Sequence, residues 1–384
     1  MSLGGQMGRH IELTLLQKLV QINWILILLI SLIAGVGFAM LYSAANGHIN
    51  PWASRQMIRF SAGLGLMLLI ALIDVRAWLR HAYVIYAAAL LLLVAVEVMG
   101  VVGMGARRWV DLGLFQLQPS EVMKLALVLA LARFYHGLPQ EEIGQMRWLV
   151  APAGLILIPV ALVMRQPDLG TAILLLATAT AILLLAGVRI WKFAVALGAI
   201  LLSIPLAWRF MLHGYQKDRV LTYLNPERDP LGAGYHIMQS KIALGSGGLF
   251  GKGFMQGTQS HLAFLPERQT DFIFTMLAEE FGLVGCLGLL SLYMLVIAYG
   301  YAIAMCSRNQ FGRLLAGGVM TTFFLYVFIN MAMVMGLIPV VGVPLPLVSY
   351  GGTSMMSLLI GFGLVLSVYV HRDAIISRRP SHGD

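Results

Sequence analysis

The sequence predicts an all-α polytopic membrane protein, a bundle of ten transmembrane helices with a long outer loop between the seventh and eighth. Three observations predict it. Of the 384 residues, 59% are hydrophobic and only 11% charged, whereas soluble domains carry about 25% charged residues. Apolar runs of about 20 residues, each long enough to cross a hydrocarbon core of roughly 30 Å, recur along the whole chain. Lys and Arg are distributed unevenly over the short polar intervals, as the orientation of spanning helices requires.

The first run, Ile22 to Ser43, is too long for a signal-peptide core and reads as a retained helix. Further spans are expected at 55–73, 81–100, 121–135, 148–164, 169–187, 190–208, 272–305, 312–335 and 351–371. Gln118, Pro119 and Ser120 start the fourth, so Glu121 and Lys124 fall near its outer end. Pro152, Pro159 and Pro205 lie inside spans, where neighbouring helices satisfy the freed backbone groups. The eighth run is long enough to tilt or to project beyond the bilayer.

With the N-terminus cytoplasmic, inner segments carry thirteen Lys and Arg residues against six in outer short loops and helix ends. Both termini are therefore expected inside. The expected organisation is a cytoplasmic segment 1–21, a transmembrane domain 22–371 and a cytoplasmic tail 372–384. The intervals 101–120, 164–168 and 209–271 then lie outside. In the longest, "GYHIMQSKIALG" sets Ile237, Met238 and Ile242 apart from Gln239, Ser240 and Lys241, the pattern of a short helix lying on the membrane surface. The last outer loop, "GLIPVVGVPLPLVSYGGTS", is apolar enough to re-enter the membrane where protein buries it.

Cys286 and Cys306 both belong to one apolar segment, so no disulfide framework or thiolate metal site is expected. The histidines show no metal-ligand spacing. The net charge of +9 fits helix-end orientation and anionic lipid. A nucleic-acid binder would need basic runs interleaved with stacking aromatics, which are absent from the sequence.

Ionisable groups at membrane depth are costly and are usually paired or functional. Glu121 and Lys124, three apart on one helix face, are expected to compensate each other. Asp168 in "RQPDLG" is placed to cap the sixth helix. Asp271, at the start of the eighth, is equally placed to cap or to act as a base, with Thr275 and then Glu279 following near the same face. Glu279 and Glu280 are adjacent, so one of them must meet a cation or a polar cavity. Glu97 reads as a paired or snorkelling helix-end residue.

The run "GSGGLFGKG" fails the nucleotide-loop template at Ser246 and Gly253, although its amides and Lys252 suit a lipid-linked phosphate. "GARRWVDLG" sets Arg107 and Arg108 beside Trp109, which suits either a pyrophosphate or an interfacial anchor.

The segments "GARRWVDLGLFQLQPSEVMKLALVLALARF", "RQPDLGTAILLL", "FLPERQTDFIFTMLAEEFGLVG" and "PLPLVSYGGTSMM" closely resemble the SEDS family of bacterial shape, elongation, division and sporulation proteins. The last two are closer to its elongation branch than to its septal one. The resemblance runs in order from about Trp24 to His371. It implies a ten-helix peptidoglycan glycosyltransferase that polymerises lipid II into glycan carried on undecaprenyl pyrophosphate, outside the bacterial inner membrane. It also implies a class B penicillin-binding protein and Mre-type morphogenetic proteins as partners.

Carried over by motif, the family's essential acid falls on Asp271 and its outer tryptophan on Trp109. Its "QPSE..K" pair falls on Glu121 and Lys124, and the acid of "PDLG" on Asp168. Such a transfer needs a base near the attacking hydroxyl and cations near the leaving group. Asp271 supplies the first; Lys124, Arg107, Arg108 or a bound divalent cation are the candidates for the second, and no other cofactor is expected. The competing classes are a lipid flippase or transporter, a septal polymerase and a non-catalytic scaffold. Charged residues gather at the outer end rather than at the midplane where transporters place their sites.

Overall fold

The structure, a computed structural model, describes residues 14–374 and 376, apart from 104, 105, 112, 114, 115, most of 211–232, and 262–266. A short helix α1 (Leu15–Gln21) precedes α2 (Trp24–Ala44), α3 (Trp52–Leu72) and α4 (Val75–Met99). Then come α5 (Pro119–His136), α6 (Val150–Arg165), α7 (Leu169–Ala186) and α8 (Ile190–Phe210). After the long loop follow α9 (Ala233–Ser246), α10 (Thr258–His261), α11 (Ile273–Cys306), α12 (Gln310–Val334) and α13 (Gly352–Val370).

Polar residues at the ends set the boundaries. Asn23, Asp74 and Asn309 each accept a backbone amide at the start of α2, α4 and α12, at 3.1, 2.8 and 2.6 Å. Eight described helices are long and apolar enough to cross a membrane. The other two expected spans are helical as well. Of these, α5 carries Glu121, Lys124 and Arg133, and the apolar part of α8 is the shorter stretch Ile190–Ser203. The protein is a multi-pass membrane protein.

Helix α12 is the hub. Its apolar window is 83% buried, against 28% for α4, and it packs on α5, α7, α11 and α13. Gly318 lets it approach closely: a Cβ there would lie 2.7 Å from Val128 and 3.0 Å from Ile182. Outer helices turn residues such as Leu28, Leu69 and Leu91 away from protein.

The structure adds to the sequence reading in several places and corrects it at α9. Within the helical fold, 101–117 also carries a small antiparallel sheet of β1 (Val101–Gly103), β2 (Ala106–Asp111) and β3 (Gln116–Leu117). The long eighth span is divided in two. Gly282, at φ 64° and ψ −160°, breaks α11 into Ile273–Phe281 and a stretch of span length, 283–306.

Helix α9 does not present the expected face. Ile237, Ala243 and the polar Ser240 are buried, while Met238 and Ile242 are 44% and 48% exposed. The reason is that Ser240 Oγ bonds Thr275 Oγ1 at 2.9 Å and the Val334 carbonyl at 2.8 Å, which docks α9 on α11 and α12. Thr275 is thereby taken up in packing.

The apolar loop 335–351 does enter the bundle. A Cβ on Gly37 of α2 would lie 2.7 Å from the Leu347 carbonyl oxygen, and Tyr293 of α11 donates to the Pro346 carbonyl at 2.6 Å. Gly37 is two turns below the end of α2, so the loop reaches about 10 Å into the bundle.

Candidate active site

Asp271 sits in the turn 267–272, just before α11. It does not cap that helix: the N-cap is Phe272, with no side-chain cap bond. The turn is held from three sides. Tyr350 N donates to the Gln269 carbonyl at 2.8 Å, and Ser349 Oγ donates to the Thr270 carbonyl at 2.5 Å. Asn330 Nδ2, on α12, donates to the Asp271 carbonyl at 3.0 Å and to the Val343 carbonyl at 2.7 Å. Gln56 of α3, fully buried, secures the same loop by donating to the Ser349 carbonyl at 2.9 Å.

The Asp271 carboxylate lies against Gly342, where an added Cβ would come within 3.5 Å of Oδ2. Gly342 has φ +69°, a left-handed conformation that glycine adopts without strain. Among the described residues the carboxylate has no hydrogen-bond or ion-pair partner. Burial, and then the nearby Glu267 carboxylate, push its pKa up from 3.8 to about 6. A carboxylate of that pKa is ionised at neutral pH and still basic enough to take a proton.

The "PDLG" motif borders the same loop. Asp168 caps α7, accepting from Thr171 N at 3.1 Å and Thr171 Oγ1 at 2.9 Å. Two residues on, a Cβ at Gly170 would lie 2.6 Å from the Val341 carbonyl oxygen, next to the Gly342 that faces Asp271. Arg108 of β2 reaches this turn from the other side. It donates to the Gln166 carbonyl at 3.1 Å and the Pro167 carbonyl at 2.5 Å, and lies 3.9 Å from Asp168. The period of two along a strand puts Trp109, itself half-buried, on the opposite face of β2. Arg107 pairs its backbone with Val102, and its side chain lies outside the described residues. Arg108, the "PDLG" turn, the loop 339–350 and the Asp271 turn are thus contiguous.

Glu121 and Lys124 are apart from this surface. Both are buried, with Nζ 2.6 Å from Oε1. Tyr326 OH donates to the Glu121 carboxylate at 2.8 and 2.9 Å and also contacts Lys124 Nζ, while Ser357 Oγ donates to Oε2 at 2.9 Å. The cluster ties α5, α12 and α13 together. Lys124, one of the candidate cations for the leaving group, is 2% exposed and enclosed by these partners.

Lys252 is occupied too. Its Nζ pairs with the fully buried Glu279 at 2.8 Å, where Thr258 Oγ1 and Gln259 N also donate. Glu280 accepts from Ser43 Oγ at 2.5 Å. The glycine-rich run therefore makes a backbone lock rather than a phosphate cradle. Lys252 N and Gly253 N donate to the Glu279 and Glu280 carbonyls, and Leu283 N and Val284 N donate to the Gly248 and Leu249 carbonyls. These four bonds take up groups that the break at Gly282 leaves open. Glu97 on α4 has a buried Oε1 without a partner among the described residues. Among the described residues no three His, Cys, Asp or Glu side chains converge as a metal cage requires.

Asn330, Tyr326, Ser357 and Gln56 were not singled out in the sequence. A lone Asn inside the apolar run "YVFINMAMV" carries a usable signal, since a polar side chain at that depth needs partners.

The profile of the FtsW/RodA/SpoVE family, described as cell cycle protein, matches residues 17–374. The chain belongs to this family. It is 47% identical over 351 residues to the peptidoglycan glycosyltransferase MrdB of Escherichia coli strain K12, covering 90% of this chain and 93% of that one. Stage V sporulation protein E of Bacillus subtilis strain 168 is 36% identical over 355 residues, covering 90% and 96%.

Among solved structures, the rod shape determining protein RodA of Thermus thermophilus superposes with a TM-score of 0.70 at 33% identity, covering 92% of this chain and 98% of that one. A chain from work on "structural coordination of polymerization and crosslinking by a peptidoglycan synthase complex" superposes with a TM-score of 0.80 at 36% identity, covering 91% and 98%.

Proposed function

We propose that this chain is a peptidoglycan glycosyltransferase that polymerises lipid II into glycan strands on the outer face of the bacterial inner membrane, for wall elongation and rod shape. Family membership and the relatives' names support the activity. The observation that carries the mechanism is the Asp271 carboxylate, half-buried, without a partner among the described residues, in a turn fixed by three hydrogen bonds to its backbone.

In this reading Asp271 takes the proton from the attacking sugar hydroxyl. The hydroxyl oxygen bonds the anomeric carbon of the second substrate, and the bond from that carbon to the lipid pyrophosphate breaks. Undecaprenyl pyrophosphate leaves with its electron pair, and the proton stays on Asp271 until solvent removes it. Positioning and proton removal of this kind contribute roughly 10²–10⁴-fold. Arg108 and Asp168 build the wall of the site, Trp109 and Arg107 are neighbours of Arg108 along β2, and Glu121 with Lys124 supports the helices behind it. Among the described residues no three His, Cys, Asp or Glu side chains converge, and a divalent cation at the leaving group would be shared with the substrate phosphates.

Both termini are placed in the cytoplasm by the Lys and Arg distribution, and the Asp271 turn outside. Cross-linking is assigned to a separate class B penicillin-binding protein, in keeping with the synthase complex that contains a similar chain. Mre-type proteins are the expected morphogenetic partners. The test is incubation of the purified protein with labelled lipid II. Glycan chains are expected; lipid movement without chains would mean a flippase, and neither would mean a scaffold.

A further inference from the structure

We propose that the glycine-rich loop 247–257 is a membrane-immersed wedge, with Leu249 and Phe250 seated among the acyl chains of the leaflet on the side of the Asp271 turn. The two side chains are 62% and 81% exposed, an unusual state for large apolar groups on an ordered loop.

Their depth follows from backbone bonds. Leu283 N donates to the Gly248 carbonyl at 3.0 Å and Val284 N to the Leu249 carbonyl at 3.1 Å, so the loop lies level with the first residues of the spanning stretch 283–306. Along that stretch Leu283, Val284, Leu287 and Met294 are 49%, 56%, 51% and 54% exposed. Exposed apolar residues on a spanning helix face lipid, and Leu249 and Phe250 continue that surface.

Irregular backbone is tolerated at membrane depth only where its polar groups are satisfied by protein. The lock on residues 279–284 satisfies four of these groups, the amides of Lys252 and Gly253 and the carbonyls of Gly248 and Leu249, and the Gly251 amide bonds the Gly247 carbonyl. The one charge in the loop, Lys252, is neutralised by Glu279 at 2.8 Å. Phe254 fixes the loop laterally, its ring centroid 5.9 Å from Phe281 and 6.5 Å from Tyr42 of α2. The wedge sets the height of the half-helix 273–281, and with it the turn that carries Asp271. The inference does not depend on the reaction assigned to that residue.

The test places a nitroxide at Phe250→Cys, and separately at Leu249→Cys, in a Cys286→Ala/Cys306→Ala background of the full chain in lipid nanodiscs. Val284→Cys serves as the lipid-facing reference and Gln140→Cys, exposed in a polar turn, as the aqueous one. Gel filtration checks that each variant is folded, and either loop position suffices if the other fails. Positions 249 and 250 are expected to match position 284, colliding more often with dissolved oxygen than with a water-soluble nickel chelate. Collision rates matching position 140 would overturn the proposal, and so would shielding from both reagents, which would mean that protein covers the loop.

Discussion

The side-chain amide of Asn330 holds the backbone of Asp271: one Nδ2 donates to the Asp271 carbonyl at 3.0 Å and to the Val343 carbonyl at 2.7 Å. A single buried group therefore joins the turn that carries the acid to the loop whose Gly342 faces it. Asn330→Ala would leave two carbonyls without their donor, each costing about 1–3 kcal/mol. The expected outcome is a polymerisation rate at least ~10-fold lower, since a small misplacement of a catalytic group costs up to ~10²-fold. The protein should still be recovered folded; rate assay and thermal melting read the two effects separately.

The buried cluster around Glu121 makes a different prediction. Lys124→Ala removes the cation 2.6 Å from a carboxylate that is 5% exposed, and an uncompensated buried charge costs roughly 3–5 kcal/mol. Tyr326→Phe removes only a hydroxyl, at about 1–3 kcal/mol. The yield of monodisperse protein on gel filtration should fall in that order. The pair Glu121→Gln with Lys124→Met, which removes both charges, should recover more folded protein than Lys124→Ala alone.

The glycine lock offers a third. Gly251 has φ +78°, and a Cβ there would lie 2.1 Å from the Glu280 carbonyl oxygen. Gly251→Ala combines backbone strain with a backbone clash, and should cost more stability than Gly248→Ala. At Gly248 φ is also positive, +55°, but nothing lies within 4 Å. Parallel thermal melts in detergent compare the two.

These cases show what could be read from sequence. The spanning helices were legible because apolar length and end charges suffice to mark them, and the partner for Glu279 or Glu280 was foreseen because two adjacent acids cannot both stay unpaired at depth. The small sheet at 101–117 was missed because strands of three, six and two residues are too short to show an alternation. The break at Gly282 was missed because its compensation comes from residues some thirty positions earlier, Gly248 to Gly253. Asn330 was passed over because nothing local says that its partners lie at Asp271 and Val343. In each case a tertiary contact decides the residue's role.

The raised pKa of Asp271 has consequences of definite sign. Activity requires the carboxylate form, so the rate should fall with a single-proton limb as pH drops through about 6. Stability runs the other way. A carboxyl whose folded pKa lies above its ordinary 3.8 contributes stability that is fully present below 3.8 and lost as pH rises through about 6. At neutral pH the ionised side chain is therefore destabilising, by about 1–3 kcal/mol. Asp271→Asn should melt at a higher temperature than the wild type at pH 7.5, and the difference should shrink towards pH 4.

The central claim is that Asp271 removes a proton during glycan transfer. The most direct measurement is the initial rate of lipid II polymerisation by purified Asp271→Asn, at matched folded concentration and saturating substrate. The amide keeps the shape and leaves the backbone bonds from Asn330 intact, yet it accepts no proton at neutral pH. The account requires a rate lower by roughly 10²–10⁴-fold, with the melting temperature raised. A rate equal to that of the wild type would contradict it.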